Sequence, residues 1–241
     1  MNKQPKYQRI ILKFSGEALI GAGDSGIDFA VLHYIVDEVK SVLNYGVQVG
    51  IVIGGGNFFR GAALADVNRI VGDQMGMLAT LINALALRDV FEQEDITVRV
   101  LSALTVHGVV ETYDHNLALK YLEKGEVLIF GGGTGNPLVT TDTALSLRGI
   151  ELNADLLLKA TNVDGVYSAN PNHNTNAQLY THLTYTEALE KQFKVMDIGS
   201  FSLCRDHDMS LRVYNMQKAG ALLRIVMGED EGTLVDNKMK E

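Results

Sequence analysis

Several things are scarce in this chain. Its single cysteine, Cys204, has no partner for an internal disulfide, so a reducing cytoplasm is the expected setting and the residue reads as a small core side chain. Only three prolines occur, at 5, 137 and 171, all outside the apolar runs, and no Ser/Pro/Gly-rich linker divides the 241 residues. One domain with two lobes is therefore expected. No apolar run reaches the length of about 18 residues that a membrane span needs, and the N-terminal MNKQPKYQR has no signal-type apolar stretch, so neither membrane nor secretion is expected. Positive charge is sparse as well. With 21 Lys and Arg against 29 Asp and Glu the net charge is −8, which argues against a nucleic-acid surface. The six histidines show no metal-ligand spacing, and neither Gly-x-Ser-x-Gly nor G-x-x-x-x-G-K-[ST] occurs, so hydrolase, zinc and P-loop readings lack support.

Glycine-rich turns are what the chain does have. The apolar run Val127–Phe130 ends in GGGTGNPLVTTD, in which consecutive glycines let backbone N–H groups approach an anion closely. The following TTDTALSLRG reads as a helix start with Thr141 or Asp142 as N-cap, which adds further free N–H groups. The pattern repeats. Val47–Ile53 ends in Gly54-Gly55-Gly56-Asn57, Ile10–Phe14 ends in Ser15-Gly16, and Leu156–Thr161 ends in Asn162-Val163-Asp164-Gly165. Short apolar strands that each end in such a turn are what an open parallel sheet produces along its ligand-binding edge. A phosphate-bearing ligand is the expected guest, held by backbone dipoles and a few placed cations.

Lys13, at the end of the first strand, and Arg60, after the second, are the candidate cations; Asp73 and Asp142, at helix starts, are the candidate acids. Helices are expected from Leu32 to Leu43 with Gly46 as C-terminal cap, over 73–91 with Met75, Leu78, Leu81, Ile82 and Leu85 on one face, and over 114–124, 143–149, 184–191 and 201–207. Further strands are expected at 98–101, 212–214, 225–227 and 232–235, and a long polar loop from Val163 through Gln178 is of the kind that covers ligands. The segment GAGDSG formally matches G-x-G-x-x-G, but SGEALI separates it from the strand and it reads as a flexible loop. Phosphoryl transfer suits this set, because it needs alignment and cations more than covalent help. An acceptor that is itself an ionised phosphate needs no general base.

The segments LKFSGEAL, VGIVIGGGNFFRG, GDQMGMLAT, FGGGTGNPLVTTDTA, LKATNVDGVY and VMD together resemble the bacterial uridylate (UMP) kinase family of the amino-acid kinase fold, over roughly residues 7–235. The resemblance implies a three-layer α/β/α sandwich around a mostly parallel sheet, with an acceptor lobe over about 1–155 and an ATP lobe over about 156–241. It implies ATP with Mg2+ and UMP as substrates, conversion of UMP to UDP, and a homohexamer. It implies catalytic roles for Lys13, Asp142 and Arg60, and ATP binding by Lys13, Phe14, Ser15, Gly16, Gly56, Arg60, Thr161, Asn162, Tyr167 and Asn170. Many members carry Asp where this chain has Asn170, which weakens the charge of a ribose contact. UMP would be held by Gly55, Asp73, Thr134, Gly135, Asn136, Pro137, Leu138, Val139, Thr140 and Thr141. Activation by GTP would run through Gly21, Ala22, Gly23, Asp24, Ser25 and Gly26, and UTP would inhibit. Two other readings stay open: a phosphate- or carboxylate-acceptor kinase of the same fold, such as an N-acetylglutamate kinase, and a nucleotide sensor without chemistry.

Overall fold

The computed structural model describes residues 4–59, 66–171, 173–193 and 195–238. Its strands are β1 (Arg9–Phe14), β2 (Gln48–Ile53), β3 (Val98–Ser102), β4 (Glu111–Thr112), β5 (Val127–Gly131), β6 (Leu156–Thr161), β7 (His182–Thr184), β8 (Leu211–Asn215) and β9 (Thr233–Asp236). The helices are α1 (Phe29–Leu43), α2 (Arg69–Gln93), α3 (His115–Glu123), α4 (Thr141–Glu151), α5 (Tyr185–Glu190), α6 (Ile198–Asp206) and α7 (Ala221–Val226). The strands form one sheet in the order β4-β3-β5-β2-β1-β6-β8-β9-β7. All pairings are parallel except β8 with β9.

Why the sheet is a middle layer follows from the alternation of its central strands. Ile10, Leu12 and Phe14 of β1, with Ile51 and Ile53 of β2 and Leu156 and Leu158 of β6, pack into one core beneath α1, α2 and α7. Ile11, Val52, Leu128, Phe130 and Leu157 face the opposite way, into a second core beneath α3, α4, α5 and α6. The three-layer α/β/α expectation holds. The chain leaves β1 toward β2 on one side and returns to its other side with β6, so the order reverses at β1, where an open parallel sheet forms its ligand crevice.

Four local expectations need correction. Helix α2 starts at Arg69 with Asn68 as N-cap, whose side chain accepts from Ile70 N, so Asp73 lies one turn inside rather than at the start. Helix α4 is capped by Thr140, whose hydroxyl accepts from Asp142 N, rather than by Thr141 or Asp142. Residues 225–227 belong to and follow α7 instead of forming a strand; in a run this short and this apolar, periodicity does not separate helix from strand. The proposed single face of α2 is divided: Leu81 is 5% exposed while Leu78 and Ile82 are 53% and 51% exposed. Helix α2 is long and apolar enough by composition to cross a membrane, yet Ala79, Leu81, Ala84, Leu87, Val90 and Phe91 are packed inside the protein.

Candidate active site

The sheet sets two lysines side by side. Lys13 and Lys159 are register partners on the parallel pair β1 and β6, each on the face turned toward α4. Two ammoniums on neighbouring strands repel, and what offsets this is Asp142 in the first turn of α4. Its Oδ1 lies 3.0 Å from Lys13 Nζ, and its Oδ2 accepts from Lys159 Nζ at 2.7 Å. The three side chains are 8%, 13% and 14% exposed for Lys13, Asp142 and Lys159, so these charges meet with little water to screen them. Lys159 also donates to the Val195 carbonyl. Burial pulls the Lys159 ammonium below the usual lysine range; Asp142 opposes that shift and Lys13 adds to it. One carboxylate against two cations leaves the cluster with surplus positive charge, the sign that a transferred phosphoryl group requires.

Glycine turns flank this cluster because their backbones must touch. A Cβ at Gly16 would lie 2.3 Å from Gly56 N, and one at Gly54 would lie 2.7 Å from Gly16 N. The turns after β1 and β2 therefore pack backbone on backbone. Gly54 N donates to Phe14 O at 2.9 Å, and the Phe14 side chain itself is core. A Cβ at Gly55 would meet Gly76 O at 2.5 Å, so this turn also sits directly on α2. The turn after β5 is tied to the same helix: Gly132, at φ +76°, donates its N–H to the buried Thr80 Oγ1 at 2.7 Å. Two glycine turns thus hang on one helix.

Between them lies a cleft of about 290 Å³ whose lining includes Gly55, Gly56, Asp73, Asn136, Val139, Thr140 and Thr141 from the expected set, joined by Arg69, Thr80 and Gly133. Asp73 pairs with Arg69 at 3.0 Å and accepts from Leu138 N at 2.8 Å, and Leu138 stands at φ +66° with its side chain exposed. Thr134, Gly135, Pro137 and Leu138 shape the loop without lining the cleft. Asp197, the N-cap of α6, accepts from Thr140, Thr143 and Ser200. Burial would raise its pKa, but those hydrogen bonds outweigh it and hold the carboxyl below its ordinary range.

Three of the residues expected on the ATP side line two further cavities. Asn162 joins Glu17, Gly21, Tyr34, Met216 and Gln217 around a cavity of about 360 Å³, while Tyr167 and Asn170 line another of about 500 Å³ with Gly165, Phe193 and Val195. Thr161 Oγ1 is spent on the Val163 and Tyr214 carbonyls. Ser15 stands at the start of the short 3-10 turn Gly16–Leu19, where its carbonyl rather than its hydroxyl accepts from Ala18 N. In the expected effector segment Gly21 lines the first of these cavities; Ala22, Gly23, Asp24 and Ser25 are exposed, and Gly26 N donates to Asn57 O at 3.1 Å. Arg60 lies outside the described residues.

Lys159, Thr80 and Asn83 were not identified from the sequence. For Lys159 a signal was there: LLLKAT of β6 repeats the plan of IILKF in β1, a lone lysine closing an apolar run just before a polar turn. The hydroxyl and amide inside α2 carry no such mark.

Paired ammoniums toward the carboxyl ends of β1 and β6, at the switch point and close in sequence to polar turns, are the arrangement of a phosphotransferase. The chain belongs to the Amino acid kinase family, which it matches over residues 8–215. It is 59% identical over 235 residues to the uridylate kinase of Coxiella burnetii, covering 97% of both chains. It is 56% identical to a uridylate kinase of Vibrio cholerae, with 98% of each covered. The crystal structure of UMP kinase from Bacillus anthracis superimposes with a TM-score of 0.94 at 37% identity, over 97% of both chains. The resemblance drawn from the motifs is borne out.

Proposed function

We propose that this protein converts UMP to UDP with ATP, and the observation that carries the reading is the Lys13–Asp142–Lys159 cluster at the switch point between two glycine turns. An oxygen of the acceptor phosphate forms a bond to the γ-phosphorus while the bond to the β–γ bridging oxygen breaks, and the electron pair leaves with ADP. Lys13 and Lys159 neutralise charge gathering on the β- and γ-phosphates, and Asp142 holds both ammoniums in place. The acceptor phosphate is ionised near neutral pH, so no base is needed. Gly55, Asp73 and the Thr134–Thr141 loop form the acceptor side, in a lobe of about 1–155; Lys13, Phe14, Ser15, Gly16, Gly56, Thr161, Asn162, Tyr167 and Asn170 belong to the ATP side, with a lobe of about 156–241. Arg60 completes the catalytic set by resemblance.

Among the described residues no group of three or more His, Cys, Asp or Glu could cage a metal. That fits magnesium, which keeps several waters and binds through phosphates with one or two carboxylates. Asp142 Oδ1 is paired with the Lys13 ammonium at 3.0 Å and, as a carboxylate oxygen, can still accept from a magnesium-bound water. The ion would supply charge neutralisation on the ATP phosphates. The outward apolar side chains of α2, Val71, Leu78 and Ile82, support a homohexamer. Regulation by GTP through Gly21–Gly26 and inhibition by UTP are carried over from the motif resemblance, and the single cysteine, buried and free, accords with a cytoplasmic setting.

Turnover with ATP and magnesium, using UMP, CMP and N-acetylglutamate as acceptors, tests the reading. UMP should be the strong acceptor and CMP a poor one. Equal rates with CMP would remove the base specificity, preference for N-acetylglutamate would favour the carboxylate-kinase alternative, and no turnover at all would favour the sensor.

A further inference from the structure

Asn57 and Asn83 are 1% and 0% exposed, and neither lines the acceptor cleft. Their amides bond to each other twice: Asn57 Nδ2 donates to Asn83 Oδ1 at 2.8 Å, and Asn83 Nδ2 donates to Asn57 Oδ1 at 2.7 Å. Each amide has one N–H left, and both reach backbone carbonyls, Asn83 to Gly54 at 2.7 Å and Asn57 to Gly26 at 2.9 Å. All four N–H groups of the pair are used, so neither side chain can flip without losing bonds in a setting where a lost partner is costly. Apolar side chains of similar size would fill the same space without desolvating two amides, so the burial has to be explained by where the spare donors land.

The Asn83 donor lands on the turn beside the chemistry, while the Asn57 donor lands on Gly26. Gly54 opens the turn Gly54–Gly56, which is wedged against Gly16, three residues beyond Lys13, and against Gly76 of α2 with no room for a Cβ on either side. We infer that Asn57 and Asn83 are positioning residues for phosphoryl transfer: the interlocked amide pair fixes the Gly54–Gly56 turn against α2 and against the segment after Lys13, and so sets the spacing between the transferred phosphate and its acceptor. The inference rests on the kinase reading above. It assigns the two amides no contact with either substrate; they act through the turn.

Asn83→Asp tests it with the shape of the side chain kept. The introduced carboxylate accepts from Asn57 but turns an oxygen toward the Gly54 carbonyl, releasing the turn. At about pH 8, kcat should fall on the order of 10²-fold with both KM values within a few-fold, the signature of misplacement rather than lost binding. Protonating the buried carboxyl returns a donor, so kcat relative to wild type should recover roughly tenfold between about pH 8 and pH 6. Asn57→Asp, which releases Gly26 instead, should lower kcat less. A variant within a few-fold of wild type at pH 8 overturns the inference, as does a kcat loss whose ratio to wild type stays flat with pH. Asn83→Ala removes the donor without adding charge and should show the same kcat loss at retained KM. If neither Asn83 variant folds, the pair is a folding element and the positioning role is lost. A wild type inactive on UMP would sink the kinase reading; an active wild type with unaffected variants would sink this inference alone.

Discussion

The proposed acceptor and donor sides of the site are built differently. On the acceptor side and where it meets the ATP side, close contacts hold the turns: Gly16 against Gly56, Gly55 against Gly76, and the Gly132 N–H on the Thr80 hydroxyl, with the Asn57–Asn83 pair tied to Gly54. On the donor side the loops after β6 and β8 are joined by polar side chains near the surface. Asn215 donates to Asp164 at 3.0 Å, Lys218 pairs with Asp164 at 3.0 Å and with Glu231 at 3.5 Å, and Arg224 pairs with Glu231 at 2.8 Å. Contacts of the first kind are buried and unforgiving, while exposed ion pairs of the second kind contribute little to stability. The difference matches the chemistry. In-line transfer tolerates little displacement of phosphate, whereas a nucleotide base bound at a distance from the reacting atoms tolerates more.

Substitutions can break or sharpen that contrast. The largest effect belongs to the cluster between the two sides. Asp142→Asn leaves two buried ammoniums without their counter-ion and should cost about 3–5 kcal/mol of stability, as for other broken buried pairs. It should also lower kcat by about 10²–10³-fold, on the scale of other preorganised contacts. Because Thr140 is the cap of α4, the stability loss cannot come from a missing cap. Calorimetry and steady-state rates check it together, and near-normal melting would mean that the cluster is not under the charge load described here.

Thr80→Val is next. The shape is kept, but Gly132 N loses its acceptor inside the protein, so denaturant titration should show a loss of about 1–3 kcal/mol. KM for the acceptor should rise more than KM for ATP, since the affected turn borders the acceptor cleft. The smallest effect is expected on the donor side. Lys218, 42% exposed, should give under about 1 kcal/mol on replacement by Ala, with kcat unchanged and KM for ATP raised a few-fold at most. A kcat loss in Lys218→Ala as large as that in Asp142→Asn would abolish the distinction between the two sides.

How much of this was legible in the sequence follows the same division. The acceptor turns could be read because glycine after an apolar run has a direct backbone meaning, and β1, β2, β5 and β6 stand close to their expected spans. Lys13 was found as a polar residue at the end of such a run, and Asp142 as an acid at the start of a helix. The edge strands β4 and β7, of two and three residues, were missed because they are too short to show alternation. Thr80 and Asn83 were hidden because a polar residue inside a helix pattern looks like surface, and only the arrival of Gly132 and Asn57 from distant segments gives it a partner. The division of the expected ATP residues between two cavities depends on how the loop 162–181 folds back, with Tyr167 bridged to Leu179, which no local pattern announces.

The central claim is that two ammoniums, not one, receive the transferred charge, and the second is testable through its own titration. Burial lowers the Lys159 pKa from its ordinary 10.5, with Lys13 acting in the same direction. The charged form is thus lost on raising the pH through that lowered value; stability rises over the same window, because the folded state holds the proton less tightly than the unfolded one, while an activity that needs the ammonium falls. The pH profile of kcat for wild type, Lys159→Arg and Lys159→Met measures this directly. Wild type should lose activity at a pH below the usual lysine value, Lys159→Arg should move that limb upward, and Lys159→Met should show no such limb and a kcat lower by about 10²-fold or more. A Lys159→Met enzyme within a few-fold of wild type, with the alkaline limb intact, would contradict the account.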